Sequence, residues 1–274
     1  MEYKRSIGKQ YLLGFCFFVM SLLYAAVSQA SDTVLRLAVQ PALTPAATLK
    51  IYQPLADYLS RHTGIKVEVV ASRNFQSYWN TLLRNDQHDL ALDAAHFAGY
   101  RMLKLGYRPL AKINDTVGFS LVTNEEVLLF DISELIGKSI AAVPSPSLAG
   151  VRLSELFNNP MRQPQIVPTT NFPEALAKVS NKQATAALVP TSLVSGNLNV
   201  NTVMTTESSP HSAFTVSSQV NAETSRKIQL ALLQADKTEK GKKMLEAIRV
   251  SGFESVTWDS YIKSARLLES VWGY

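Results

Sequence analysis

Between residues 33 and 113, short β-rich runs alternate with runs of helical spacing, and only a few residues join them. TVLRLAV (33–39), IKVEVVA (65–71), DLALD (89–93) and RPLAKI (108–113) read as strands. Leu49, Tyr52, Leu55, Tyr58 and Leu59 mark a first helix face, closed by Gly64. Phe75, Trp79, Leu82 and Leu83 mark a second, which stops near Asn85 and Asp86, and Phe97, Tyr100, Met102 and Leu103 mark a third, closed by Gly106. Pro54 predicts a kink in the first helix or a fresh start at Gln53. A β-α-β order with short connections implies a parallel sheet with helices on both faces. Ligands of such sheets sit beyond the carboxyl ends of the strands. Three loops should converge there, at residues 40–43, 72–78 and 93–96.

A second, smaller α/β unit follows. GFSLVT (118–123) reads as a strand leading out of the first unit. Residues 131–155, DISELIGKSIAAVPSPSLAGVRLSE, read as a short helix, a turn at Gly137, a buried strand, a small-residue loop and the start of another helix. Such a strand–loop–helix can hold backbone N–H groups in front of a small anion, although Pro146 removes one of them. Residues 165–168 and 184–189 read as further strands, with Asn171-Phe172-Pro173-Glu174 as a helix cap between them. HSAFTVS (211–217) returns as a strand, and helices follow Asn221, Thr238 and Thr257, the last spaced by Tyr261, Ala265, Leu268 and Trp272. The expected architecture is a two-lobed α/β fold. Lobe 1 takes residues 31–119 plus 213–274 and lobe 2 takes 120–212, with 118–123 and 211–217 as hinge strands.

The N-terminus reads as a leader. Lys4, Arg5 and Lys9 precede an uncharged, mostly apolar run from residue 11 to 27, and Ser28-Gln29-Ala30 supplies small residues for cleavage after Ala30. The alternative is an uncleaved anchor, for which a run of about 17 residues is at the lower limit. Cys16 is the one cysteine and leaves with the leader; Phe15 stands before it where lipidation needs a small residue. The mature chain then has no disulfide, thiol nucleophile or thiolate metal site. Removing residues 1–30 leaves 24 basic and 21 acidic side chains, so the net charge falls from +5 to +3. That is mild, and no basic stripe carries interleaved aromatics, which argues against nucleic-acid binding. A periplasmic location, a monomer and no cofactor are expected.

Enzyme signatures are missing: there is no H-E-x-x-H, G-x-S-x-G or Gly-rich phosphate loop. His62, His88, His96 and His211 are scattered. Asp93 with His96 is the one pair that invites acid–base chemistry or metal binding; Asp93 could equally cap a helix.

Four stretches then carry a resemblance. They are residues 52–59 (YQPLADYL), 85–100 (NDQHDLALDAAHFAGY), 135–141 (LIGKSIA) and 237–261, with its Lys240-Gly241-Lys242, Gly252-Phe253 and Tyr261. Together they resemble the periplasmic substrate-binding proteins of phosphonate, phosphite and phosphate ABC transporters, across nearly the whole mature chain. The resemblance implies the type II periplasmic-binding fold, with two hinge crossovers and a ligand held between the lobes. It also marks departures. Where such binders carry a Ser-Thr-Ser-Gly-like run, this chain has Pro144-Ser145-Pro146-Ser147-Leu148-Ala149-Gly150. Phe172 stands where the family often has a ligand-binding His, and Pro190 where it has an acidic residue. A different or simpler ligand is therefore implied.

The candidate ligand-binding residues are Ser145, Ser147, His96, Gln40, Ser77, Tyr78, Thr170 and Asn171. Ser145 and Ser147 could offer hydroxyls to a ligand or cap the next helix. Thr169, Thr170 and Asn171 end a strand and have the same two readings. Gln40 is a candidate by position, Ser77 and Tyr78 by their place near a helix start, and Trp79 reads as core. Arg73 is the one cation among the predicted cleft loops. The expected function is capture of a small, anionic solute of phosphonate or phosphate type by hinge closure, not catalysis. Delivery would be to an inner-membrane ABC permease. The alternatives are a sensory binding protein feeding a membrane receptor or kinase, and a hydrolase using Asp93 and His96.

Overall fold

The computed structural model describes residues 34–84, 88–269 and 271. The expected leader with Cys16 and its cut after Ala30, the helix stop at Asn85 and Asp86, and Trp272 lie outside the described residues.

The chain enters through β1 (Val34–Val39) and turns into α1 (Pro45–Thr63). Thr44 Oγ1 accepts the Ala47 N–H to cap α1, and Gly64 closes it in the left-handed region at φ 74°. Of the two expectations for Pro54, the fresh start at Gln53 is not seen; the helix runs unbroken through the proline. Leu55, Ala56, Tyr58 and Leu59 are buried just after the proline, and their packing outweighs its cost of about 3 kcal/mol. Then come β2 (Lys66–Ala71), α2 (Phe75–Leu83), β3 (Leu90–Asp93), α3 (Ala95–Leu105) and β4 (Arg108–Ile113).

A short β5 (Thr116–Val117) leads to β6 (Phe119–Asn124), β7 (Ser139–Ala142), α4 (Leu148–Leu156), β8 (Gln165–Pro168), α5 (Phe172–Ser180), β9 (Ala186–Pro190) and β10 (Val200–Thr205). The chain comes back through β11 (Ser209–Pro210) to β12 (Ala213–Val216), α6 (Ala222–Leu233), α7 (Glu239–Ile248), β13 (Phe253–Glu254) and α8 (Asp259–Ala265).

These strands form two main sheets. The first has the order β13-β4-β12-β3-β1-β2 and the second β10-β6-β9-β7-β8. The first sheet is mixed, not parallel throughout. β1 and β3 are parallel, but β12 inserts between β3 and β4 and runs antiparallel to both. In the second, β7 is parallel to β8 and β9, while β6 is antiparallel to β9 and β10 to β6. The two crossings between sheets lie side by side, because β5 and β11 pair as an antiparallel ribbon of two residues each. The segments 118–123 and 211–217 mostly belong to β6 and β12 inside the sheets, so the crossovers are this ribbon and its flanks.

Two apolar clusters matter for the site. One lies within the first sheet and its helices, with Leu37, Leu55, Leu90, Phe214 and Ile228 fully buried. The other crosses from sheet to sheet, joining Ala38, Phe75 and Trp79 to Leu121, Ile140 and Phe172. Leu268, after α8, also belongs to it.

Candidate functional site

The three loops expected to converge do so. Gln40, Leu43, Phe75 and Ala94 from the first sheet's loops face Phe119, Leu148, Phe172 and Pro190 of the second, around a hollow of about 250 Å³. Its walls are mainly apolar. Phe75 and Phe172 approach at 6.5 Å between ring centroids and Phe119 and Phe172 at 6.0 Å. Gln40, half-buried, places Nε2 3.5 Å from Ser212 Oγ at the polar end. His211 also lines this end, and burial lowers the pKa of its ring.

A second hollow of about 350 Å³ shares Phe75 as a wall and is lined by Asn74, Gln76, Ser145, Thr169 and Thr170. Asn74 caps α2 by accepting the Ser77 N–H at 2.8 Å. Ser145 is exposed. Thr169 is 5% exposed, and its Oγ1 is buried without a hydrogen-bond partner among the described residues. Thr170 gives its amide and hydroxyl to Glu174 at 2.9 and 2.8 Å, which holds the Glu174 carboxyl below its usual range.

The loop at residues 144–147 folds back over the start of α4. Ser147 is buried; its Oγ donates to the Val143 carbonyl at 2.7 Å and accepts the Gly150 N–H at 2.9 Å. Its hydroxyl serves as the helix cap and not as a surface of either hollow. The close approach requires glycine at 150, where a Cβ would overlap the Ser145 backbone nitrogen. The Ser145–Pro146 peptide is cis.

His96 sits at the start of α3, fully buried, and stacks on Phe97 at 4.1 Å between centroids. Its Nε2 lies 2.9 Å from the Pro146 carbonyl, across the gap between the sheets. A carbonyl only accepts, so Nε2 carries the proton. Burial lowers the pKa to about 4, against the pull of that bond, so the ring is neutral at ordinary pH.

Tyr78, Ser77 and Asn171 line neither hollow. The Tyr78 hydroxyl donates to Asp93 Oδ1 in the interior and accepts from Arg101 at 3.1 Å. Arg101 Nε donates to Asp93 Oδ2 at 2.6 Å. Burial opposes the guanidinium's charge, but Tyr78 and Asp93 outweigh it and raise the Arg101 pKa. Ser77 is half-buried in the first turn of α2. Asn171 accepts the Glu174 N–H at 3.0 Å as the cap of α5. Arg73 is exposed and lines neither hollow.

The Asp93–His96 dyad of the hydrolase alternative is not assembled. Asp93 uses both oxygens on Tyr78 and Arg101, and His96 turns to Pro146. Among the described residues no His, Cys, Asp and Glu group is placed to hold a metal ion, and no helix is long and apolar enough to cross a membrane. Sequence reasoning left Phe119 and Arg101 unassigned. Phe75 read as a core position, and Phe172 as part of a helix cap that the resemblance set where the family often has a ligand-binding His; neither spacing showed that the two would meet across the sheets.

Residues 37–261 match the family described as the periplasmic substrate-binding protein of phosphonate ABC transporters. This chain belongs to that family. Its function is that of a periplasmic solute-binding component of an ABC transporter, and its fold is the type II periplasmic-binding fold. Family members bind small solutes and deliver them to membrane permeases. Among solved structures, PhnD1 from Prochlorococcus marinus in complex with methylphosphonate superposes with a TM-score of 0.76 at 13% identity, over 88% of this chain and 99% of that one. A binding protein component of an ABC phosphonate transporter from Pseudomonas aeruginosa gives 0.73 at 14% identity, covering 85% of each chain. A Xanthomonas citri protein bound to chloride ion gives 0.72 at 17% identity, over 88% of this chain and all of that one. No curated protein matches in the sequence comparison.

Proposed function

We propose that this family member captures a small solute with an anionic head of phosphonate type, and that the head occupies the polar hollow between the sheets. The observation that carries the reading is the convergence of Ser145, Thr169 and Thr170 from one sheet with Asn74 and Gln76 from the other around that hollow. Thr169 adds a buried hydroxyl with no partner among the described residues, a state that costs free energy until something hydrogen-bonds it. Hydroxyls and amides can satisfy a phosphonyl group without a cation, and water excluded by closure strengthens each bond.

The lobes in this reading are residues 31–119 plus 213–274 and 120–212, and they move about the β5–β11 ribbon. The mature chain starts after Ala30, works as a monomer and passes its loaded form to an inner-membrane permease. That PhnD1 is found in complex with methylphosphonate supports the choice of head group.

The test is thermal unfolding of the mature chain with phosphate, phosphite, methylphosphonate, aminoethylphosphonate and sulfate. A ligand that binds only the folded form raises the transition by about 2.7 kcal/mol equivalent at a hundredfold excess over Kd. A rise with an organophosphonate, weakened by Ser145→Ala, is expected. No shift with any of them at millimolar concentration would sink the reading.

A further inference from the structure

We propose that the solute carries a hydrocarbon group, aryl or branched alkyl, and no amine, and that this group fills the hollow walled by Phe75, Phe119 and Phe172. The proposal rests on reading the interlobe cleft as the solute site, and it names the part of the solute that the polar hollow does not hold.

Three observations support it. The three phenyl rings are nearly inaccessible, at 4%, 4% and 7% exposure, and all line the same hollow of about 250 Å³. An apolar cavity of about 150 Å³ already accommodates benzene, so an aryl group fits. Phe75 lines both this hollow and the polar one, which makes the two neighbours.

The charge of the lining makes the choice. Among the described residues no Asp or Glu lines the apolar hollow. The formally charged side chain that reaches it is Arg249, exposed at the rim. An ammonium group buried there would have no carboxylate partner, while Arg249 would repel it. An oxyanion pressed among the rings would lose its hydration and meet the negative faces of three π systems. A hydrocarbon group incurs neither penalty and gains from leaving water.

Titration calorimetry of the mature chain with phenylphosphonate, methylphosphonate, 2-aminoethylphosphonate and benzoate tests the idea. Phenylphosphonate should bind at least about tenfold tighter than methylphosphonate, as expected for burying an aryl ring in place of a methyl group, and 2-aminoethylphosphonate should bind weakest. Phe172→His should remove most of the phenyl preference, read as the ratio of the two dissociation constants. Phe75→Leu, which keeps the wall apolar, checks that any loss is not a folding defect, together with a thermal melt of each variant. Equal or tighter binding of methylphosphonate or 2-aminoethylphosphonate overturns the hydrocarbon inference and leaves the phosphonate reading standing. Binding of benzoate without any phosphonate supports the apolar chamber and overturns the head-group reading. If none of the four binds, both fall.

Discussion

His96 and Pro146 join the two halves of the molecule through a single buried hydrogen bond, from the ring Nε2 to the carbonyl at 2.9 Å. His96 opens α3, beyond the first sheet, and Pro146 belongs to the loop between β7 and α4 of the second. The bond therefore exists only while the halves are together. His96→Ala removes it and leaves the carbonyl to water, a loss of about 1 kcal/mol from the closed arrangement. That shifts the open-to-closed ratio about fivefold. Small-angle scattering without ligand should report a larger radius of gyration for His96→Ala. His96→Gln, which can still donate, should lie nearer the parent.

The same histidine sets a pH dependence. Burial lowers its folded pKa to about 4 from 6.5. The unfolded chain therefore binds a proton between those values that the folded chain refuses, so stability falls as pH drops from about 6.5 to about 4 and changes no further below. The ceiling of this contribution is on the order of 3 kcal/mol. His211, lowered in the same direction mainly by burial, adds to it. Urea unfolding at pH 7.5, 6 and 5 should give a steady loss. Phenylalanine at 96 should flatten the slope; an unchanged slope in His96→Phe would assign the effect elsewhere.

Asp93 is best tested as half of a buried pair. Asp93→Asn leaves the Arg101 guanidinium in the interior with no countercharge, where both side chains are at most 2% exposed. Removing one partner of a buried ion pair costs about 3–5 kcal/mol. Denaturant unfolding should register that loss. Arg101→Met together with Asp93→Asn should recover part of it, since a neutral pair of similar volume no longer strands a charge.

The sequence made the element order readable, because each strand and helix there carries its own local signal. Asn171, Asn221 and Thr238 cap helices where the sequence placed a helix start. It did not make pairing readable. β12 comes from more than a hundred residues after β3, and nothing in residues 33–113 announces that a later strand will part β3 from β4. β10 was hidden for a different reason: VNTVMT is a half-exposed edge strand with mixed polarity, so neither face stands out.

The site was legible as a set of loops and illegible as a surface. Gln40, Ser145 and Thr170 line the hollows. Tyr78 does not, because its ring offers a hydroxyl at the depth where Asp93 and Arg101 need a partner. Arg101 in GYRMLKLG looks like a solvated helix cation, and only the fold brings the end of β3 beneath it.

Gly150 offers the sharpest separation of site from fold. Its missing side chain is the space into which the Ser145 backbone folds. Alanine there must push the loop of residues 144–147 off the start of α4, and the neighbour it meets is backbone, which cannot rotate away. Overpacking of this kind costs about 1–3 kcal/mol. The displaced loop carries Ser145 on one hollow and the Pro146 carbonyl that His96 uses. Gly150→Ala should therefore lower the melting temperature by several degrees and also enlarge the ligand-free radius of gyration. Gly99→Ala supplies the contrast. Its Cβ would overlap the Tyr261 carbonyl where α3 and α8 meet, far from the loop in sequence and role. It should cost comparable stability and leave the open-to-closed balance near that of the parent. If the two variants open the molecule equally, the loop is not what holds the halves together.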